Sequence, residues 1–191
     1  LVTADVVVAS KDEAVSADLQ SALHSPMFRV YTSKDPIGVE VGGALKNVLA
    51  VAAGACDGLG LGTNARAALV TRGLSEMARL GVALGGEPLT FMGLSGVGDL
   101  ILTTTGALSR NRALGMKVAE GVDPATFLAS QRTVAEGYLT AKAAFHLAQR
   151  HGVDVPITEQ VFHVLHEGRN LFEAMKRLMT RAQKEELWGF T

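Results

Sequence analysis

The sequence predicts a mainly α-helical fold with a short α/β segment at its N-terminal end. Three observations carry this expectation. The convincing strand-like runs all fall before residue 34. Beyond it, apolar residues recur at helical spacing between capping signals. The composition, 48% apolar and 19% charged over 191 residues, is that of a packed chain, long enough for one good-sized core or two small ones.

Residues 5–9 read DVVVA, a β-branched run without alternation that suits a strand buried on both faces of a parallel sheet. Such a strand needs partners, either elsewhere in the chain or outside it. Residues 10–24 suit a short helix with Ala14, Ala17, Leu19 and Leu23 apolar. Residues 28–32 (FRVYT) alternate and read as a second strand. Asp35-Pro36 then opens a helix, because Asp can cap and Pro loses nothing in a first turn. Helices are expected at 37–56, 64–84, 98–104, 110–120, 124–129, 135–151, 158–166 and 171–179. Asp123-Pro124 repeats the cap-then-proline start, Asn170 and Glu173 have capping-box spacing, and Gly152 and Gly168 are C-terminal stops. Residues 1–33 thus read as the tail of an α/β domain and residues 34–191 as an all-α domain. The chain opens at Leu1, directly before a strand, as a piece of a longer protein would.

A formal net charge of −1 gives no electrostatic reason to expect nucleic acid or an acidic membrane as partner. The single Cys56 lies in an apolar helical stretch and reads as a buried small residue in a reducing compartment. No basic start precedes an apolar stretch, and the apolar run 48–56 falls short of the about 20 residues of a membrane span. The expected location is cytoplasmic.

Five stretches could carry chemistry. In 39–54 (VEVGGALKNVLAVAAG), Lys46 and Asn47 sit in the middle of a helix otherwise built of Gly, Ala, Val and Leu. Desolvation there disfavours the ammonium and suits a general acid/base, although a lysine stem can also cross an apolar surface with its head in water. Gly38, Gly42 and Gly43 each weaken the helix, which suggests a closely approaching neighbour. The run 58–65 (GLGLGTNA) matches a relaxed dinucleotide fingerprint but follows a helix where a strand is required, so it reads as a helix-to-helix loop. In 92–105 (MGLSGVGDLILTTT), Asp99 either caps a short helix or meets a substrate hydroxyl or Lys46, and Thr103 shares its face. In 106–112 (GALSRNR), Ser109, Arg110, Asn111 and Arg112 crowd a helix start. They form either a phosphate site or an exposed polar turn. In 133–137 (TVAEG), Glu136 suits a helix start on dipole grounds alone. Arg72, Glu76 and Arg79 read as a solvated ion-pair face. His163 and His166 lack a third ligand, so no metal is assigned.

Taken together, ADVVVAS, FRVYTSKDPIGVEVGGALKNVLAVAAG, DGLGLGTNARAALVTRGLSEMARLG, MGLSGVGDLILTTTGALSRNR and TVAEG resemble the bacterial type of NAD(P)-dependent glycerol-3-phosphate dehydrogenase. The order GALKN, GxGDL, LSRNR is the specific part of that resemblance. Beyond about residue 140 the match is generic. The resemblance implies an all-helical dehydrogenase C-terminal domain, similar to that of 6-phosphogluconate dehydrogenase, preceded by the remnant of a Rossmann domain. It implies interconversion of dihydroxyacetone phosphate and sn-glycerol 3-phosphate, for phospholipid synthesis, with NAD or NADP bound mainly by residues not in this chain. The chain alone would then be inactive. By the same resemblance Lys46 is the proton acceptor and Asp99 holds lysine and substrate hydroxyls. Thr103 joins them by analogy with eukaryotic relatives. Ser109, Arg110 and Asn111 grip the substrate phosphate, while Arg110, Val134 and Glu136 touch the cofactor. A homodimer stays open. So do two other readings: a two-domain hydroxy-acid dehydrogenase, and a helical module for dimerisation or scaffolding, which would leave Lys46, Asp99 and Arg110 scattered.

Overall fold

The structure, a computed structural model, describes residues 4–131 and 133–182. Strand β1 (Ala4–Ala9) pairs in parallel with β2 (Phe28–Ser33), in a register running from Ala4 opposite Phe28 to Ala9 opposite Ser33. Helix α1 (Glu13–Leu23) connects them. It starts later than its apolar pattern suggests, because the Asp12 carboxylate, not Ser10, accepts the Ala14 N–H at 2.9 Å. The DVVVA run does not have two covered faces here. Ala4 and Asp5 are exposed, Val6 to Ala9 are half-buried, and these two strands make up the sheet among the described residues.

Helix α2 (Pro36–Gly58) is the axis of the rest. Its first turn is fixed by Asp35, which is 6% exposed. One carboxylate oxygen accepts from Gly38 N–H at 2.8 Å, and the other accepts from Glu87 N–H and the Thr90 hydroxyl at 2.8 and 2.7 Å. Burial alone would raise this carboxyl. The three hydrogen bonds outweigh burial and hold it below its ordinary range. Around α2 pack α3 (Gly62–Ala83), α4 (Asp99–Thr105), α5 (Arg110–Ala119) and α7 (Gly137–His151). Val48, Ala50 and Ala53 of α2 are fully buried. By length and composition α2 could cross a membrane, which the short 48–56 run did not suggest; yet 67% of its most apolar window is buried in the fold, as in a core helix.

The α2–α5 crossing is unusually close. A Cβ at Gly54 would collide with the Arg112 carbonyl, and one at Gly115 with the Val51 carbonyl and the Ala55 nitrogen. Side chains are absent at the crossing point, so backbone meets backbone. Of the three glycines in the first half of α2, Gly38 abuts Asp35 and Gly42 abuts the Ser95 carbonyl, whereas Gly43 faces open space.

Within the 58–65 stretch only residues 59–61 connect two helices, and α3 already starts at Gly62; Gly60 and Gly62 are at positive φ. A 3-10 turn (Pro88–Met92) and a π-helical turn (Leu94–Gly98) then lead into α4. Helix α6 (Pro124–Ala129) starts from an Asp123 cap, and α7 and α8 (Pro156–Glu167) end on left-handed Gly152 and Gly168. Asn170 caps α9 (Leu171–Met179) through the N–H groups of Phe172 and Glu173, while Glu173 itself pairs with Arg177. Phe91, Met77, Leu80, Leu100 and Leu114 form the centre of the core.

Of the Arg72, Glu76, Arg79 stripe only Arg72 is exposed; Glu76 is buried and Arg79 half-buried. Glu76 is 2% exposed and caps α8 from another helix: one oxygen accepts Ile157 N–H at 2.6 Å, the other Thr158 N–H and hydroxyl at 3.0 and 3.2 Å. Pro156 opens α8, and Val155 before it has no capping side chain, so the cap must come from α3. Arg79 bonds the Asp154 carbonyl at 3.1 Å. Helical spacing suits both ion pairs on a surface and a buried clamp between helices, so the pattern alone could not separate them.

Candidate functional site

Lys46 projects from the middle of α2, and its ammonium is bonded to the Asp99 carboxylate at the start of α4. The two side chains are 23% and 30% exposed, so the pair is partly desolvated but reachable. Asp99 does not cap α4: Gly98 holds the cap position and no side-chain bond is made there. The second Asp99 oxygen accepts the Thr103 hydroxyl at 3.4 Å, one turn along the same face. The carboxylate therefore lies between a cation and a hydroxyl, close to the positive end of a helix.

A second group of contacts begins one residue along α2. Asn47, 6% exposed, donates through its amide to Glu136 at 3.1 Å and to the Gly43 carbonyl at 3.2 Å. Its own side-chain carbonyl accepts from the Asn111 amide at 2.8 Å. The Asn111 side-chain carbonyl in turn accepts Gly137 N–H at 2.9 Å. The middle of α2, the start of α5 and the start of α7 are thus joined by amide groups. Gly137 is required at this junction, since a Cβ there would stand 2.6 Å from the Asn47 carbonyl and 2.9 Å from the Asn111 oxygen.

The four polar residues 109–112 do not act as one cluster. Successive helical residues point about 100° apart. Ser109 accepts the Arg112 N–H at 3.3 Å and caps α5. Arg112 turns to Asp57 at the end of α2, at 2.7 and 2.8 Å. Asn111 points inward. Arg110 is exposed, and its guanidinium makes no hydrogen bond or ion pair among the described residues. Val134, 62% exposed, and Glu136 lie on the segment entering α7, beside Asn111.

Lys46 and Asp99 are therefore in direct contact. Asn47, Glu136, Asn111 and Gly137 form a separate group joined by hydrogen bonds, and Arg110 is bonded to neither group among the described residues. The sequence places Asn47 beside Lys46 in an otherwise apolar helix but gives it no role; its partners on α5 and at the start of α7 supply one. A cavity of about 910 Å3 lies elsewhere, between α2, α3, α5, α8 and α9, bounded by residues such as Val51, Leu69, Val161 and Leu178. None of the candidate residues lines it. His163 stands between Glu159 and Glu167, its ring nitrogens at 3.6 and 2.5 Å. Among the described residues no group of three His, Cys, Asp or Glu side chains could hold a metal ion.

A family model described as NAD-dependent glycerol-3-phosphate dehydrogenase C-terminus matches residues 35–176. The chain is 58% identical over 183 residues to the glycerol-3-phosphate dehydrogenase [NAD(P)+] of Geobacter sulfurreducens, covering 96% of this chain and 55% of that protein. The crystal structure of glycerol-3-phosphate dehydrogenase from Coxiella burnetii superposes with a TM-score of 0.90 at 44% identity, covering 94% of this chain and 55% of that one. A yeast glycerol-3-phosphate dehydrogenase structure, from Saccharomyces cerevisiae, gives a TM-score of 0.80 at 28% identity over 92% of this chain and 54% of its own. The chain thus spans about half the length of the relatives it matches.

Proposed function

Because the chain belongs to the NAD-dependent glycerol-3-phosphate dehydrogenase C-terminal family, we propose that it forms the substrate half of an enzyme interconverting dihydroxyacetone phosphate and sn-glycerol 3-phosphate. In this reading residues 1–33 end a nucleotide-binding domain and residues 34–191 form the catalytic one. The product supplies the glycerol backbone of phospholipids. The observation that carries the reading is the Lys46–Asp99 contact: an ammonium held by a carboxylate, partly desolvated on an otherwise apolar helix.

A dinucleotide, NAD or NADP, supplies the hydride when bound. The residues of this chain fit one edge of such a molecule. Arg110 offers an exposed guanidinium for phosphate, Val134 an apolar surface for a ring, and Glu136 a carboxylate for amide or hydroxyl donors. Reduction of a ketone builds negative charge on the carbonyl oxygen. Lys46 Nζ stabilises that charge and donates its proton there; in the reverse direction it accepts the proton. Asp99 keeps the ammonium aimed, and Thr103 keeps Asp99 aimed. Arg110 and the capped α5 start bind the phosphate end of the substrate, so binding energy at the non-reacting end orients the reacting carbon. A scaffold would have no need to hold Lys46, Asp99 and Thr103 together.

The test is turnover by the whole dehydrogenase, nucleotide-binding half included. Dihydroxyacetone phosphate should be reduced with NADH or NADPH far faster than 2-oxo acids. Reduction of the oxo acids alone would overturn the assignment. This chain by itself should show no turnover.

A further inference from the structure

The cavity between α2, α3, α5, α8 and α9 takes no part in the proposed reaction, and it is not a small packing defect. It holds about 910 Å3, is half open to solvent, and is bordered by Val51 of α2, Leu69 of α3, Val118 of α5, Val161 of α8 and Leu178 of α9. Protein interiors are packed as densely as organic crystals, with few voids larger than a water molecule. An apolar hollow of this size is a place where another apolar group belongs. One side of it is charged. Arg72, Arg79 and Arg181 stand there with Glu76, and Asp154 is bonded to Arg181 at 2.5 Å. Three guanidinium groups against two carboxyls leave this side cationic, the more so below about pH 7, where burial keeps Glu76 protonated.

The chain carries a segment of matching chemistry beside this cavity. Arg181 and Ala182 lie on the cavity wall, so residues 183–191, which lie outside the described residues, begin at its mouth. They read QKEELWGFT: acidic at Glu185 and Glu186, then apolar at Leu187, Trp188 and Phe190. A residue spans at most about 3.5 Å, so the steps from Ala182 to Trp188 reach about 20 Å, beyond the diameter of about 12 Å of a sphere of 910 Å3. We propose that the cavity is the docking groove of residues 183–191 of this same chain. Trp188 and Phe190 cover the wall formed by Val51, Leu69, Val161 and Leu178, while Glu185 and Glu186 face the arginines. The two rings supply most of the gain by removing apolar surface from water. The exposed charges, each pair of them weak, set the direction in which the segment runs. Docked in this way, the segment joins α9 to α3 and closes the core on the side that the helices leave open.

In this chain Trp188 is the only tryptophan, so its fluorescence reports the segment alone. Docking predicts blue-shifted emission and acrylamide quenching about threefold or more weaker than in the urea-unfolded chain. Phe190→Ala alters the segment and leaves the helices around the groove untouched. It should weaken docking by about 10- to 100-fold, the loss of one buried aromatic side chain, and bring quenching up toward the unfolded level. Leu69→Glu, which places an acid on the wall, should do the same with the circular dichroism of the helices retained. Wild-type quenching equal to that of the unfolded chain would overturn the proposal, and so would protection that survives both substitutions. If Leu69→Glu fails to fold, Phe190→Ala alone decides. Protection lost on about hundredfold dilution would give the groove to the segment of a second copy and overturn the proposal equally. In the whole dehydrogenase, hydrogen exchange over residues 187–190 gives a second readout, slow in wild type and faster in Phe190→Ala. Exchange at the unfolded rate in wild type would refute the docking, whatever reaction the enzyme catalyses.

Discussion

Replacing Glu76 with Gln should flatten the pH dependence of this chain's stability. Burial pushes the Glu76 carboxyl from 4.5 up to about 7, against the opposing pull of the Ile157 and Thr158 hydrogen bonds and of Arg79. In the unfolded chain the same group titrates at its ordinary value. The folded state therefore holds a proton that the unfolded state has released, and stability falls as pH rises between the two values. At about 1.36 kcal/mol per pH unit, the shift corresponds to about 3 kcal/mol, fully present below the unfolded value and lost once pH passes the folded one. Gln keeps the shape and the acceptor facing Ile157 but cannot ionise. Urea unfolding of both chains, followed by circular dichroism from about pH 4.5 to about pH 8, isolates the effect, because other titrating groups cancel in the difference. Wild type should lose about 3 kcal/mol relative to Glu76→Gln over that range. Parallel curves, or a wild type that gains on the variant at high pH, would mean that the carboxylate is ionised in the fold and that the backbone hydrogen bonds, not desolvation, dominate.

Three further outcomes follow from the geometry. In the whole dehydrogenase, Lys46→Ala should lower kcat by about 100-fold or more, the usual contribution of a general acid; a near-normal kcat would remove the ammonium from proton transfer. Arg110→Ala should raise KM for dihydroxyacetone phosphate by about 10- to 100-fold, the loss of a charge-assisted hydrogen bond, and leave the urea midpoint of this chain unmoved, since the side chain is exposed; an unchanged KM would exclude it from the phosphate. Gly115→Ala should destabilise the chain: overpacking against backbone atoms costs about 3 kcal/mol and better helix propensity offsets about 1, leaving about 2. An unaltered urea midpoint would show that α2 and α5 separate freely.

Most helices were readable because their boundaries are local. Asp35-Pro36, Asp123-Pro124, Asn170, Gly152 and Gly168 each act within a turn of the chain, and each ends or begins a helix in the structure. What the sequence hid was non-local. Nothing near Val155 announces that its missing cap arrives from Glu76 on another helix, and nothing in DVVVA tells how many strands lie beside it. The same division runs through the site. Lys46 and Asp99 stood out as charged residues in apolar and Gly-rich surroundings. Asn47 stood beside Lys46 without a legible role, because an amide's role shows only through its partners, and those lie on α5 and at the start of α7. The polar run 109–112 looked like one cluster on paper because adjacency in sequence conceals the angular separation of neighbours on a helix.

The burial of α2 has a consequence for how such an enzyme would move. Lys46 is rooted in a rod gripped by α3, α4, α5 and α7, with two backbones touching at Gly54 and Gly115. Such a rod does not bend or slide at modest energetic cost. Opening and closing around a reactant would therefore be the work of whatever faces this surface, moving about a stationary amine whose only freedom is rotation of its own four-carbon stem.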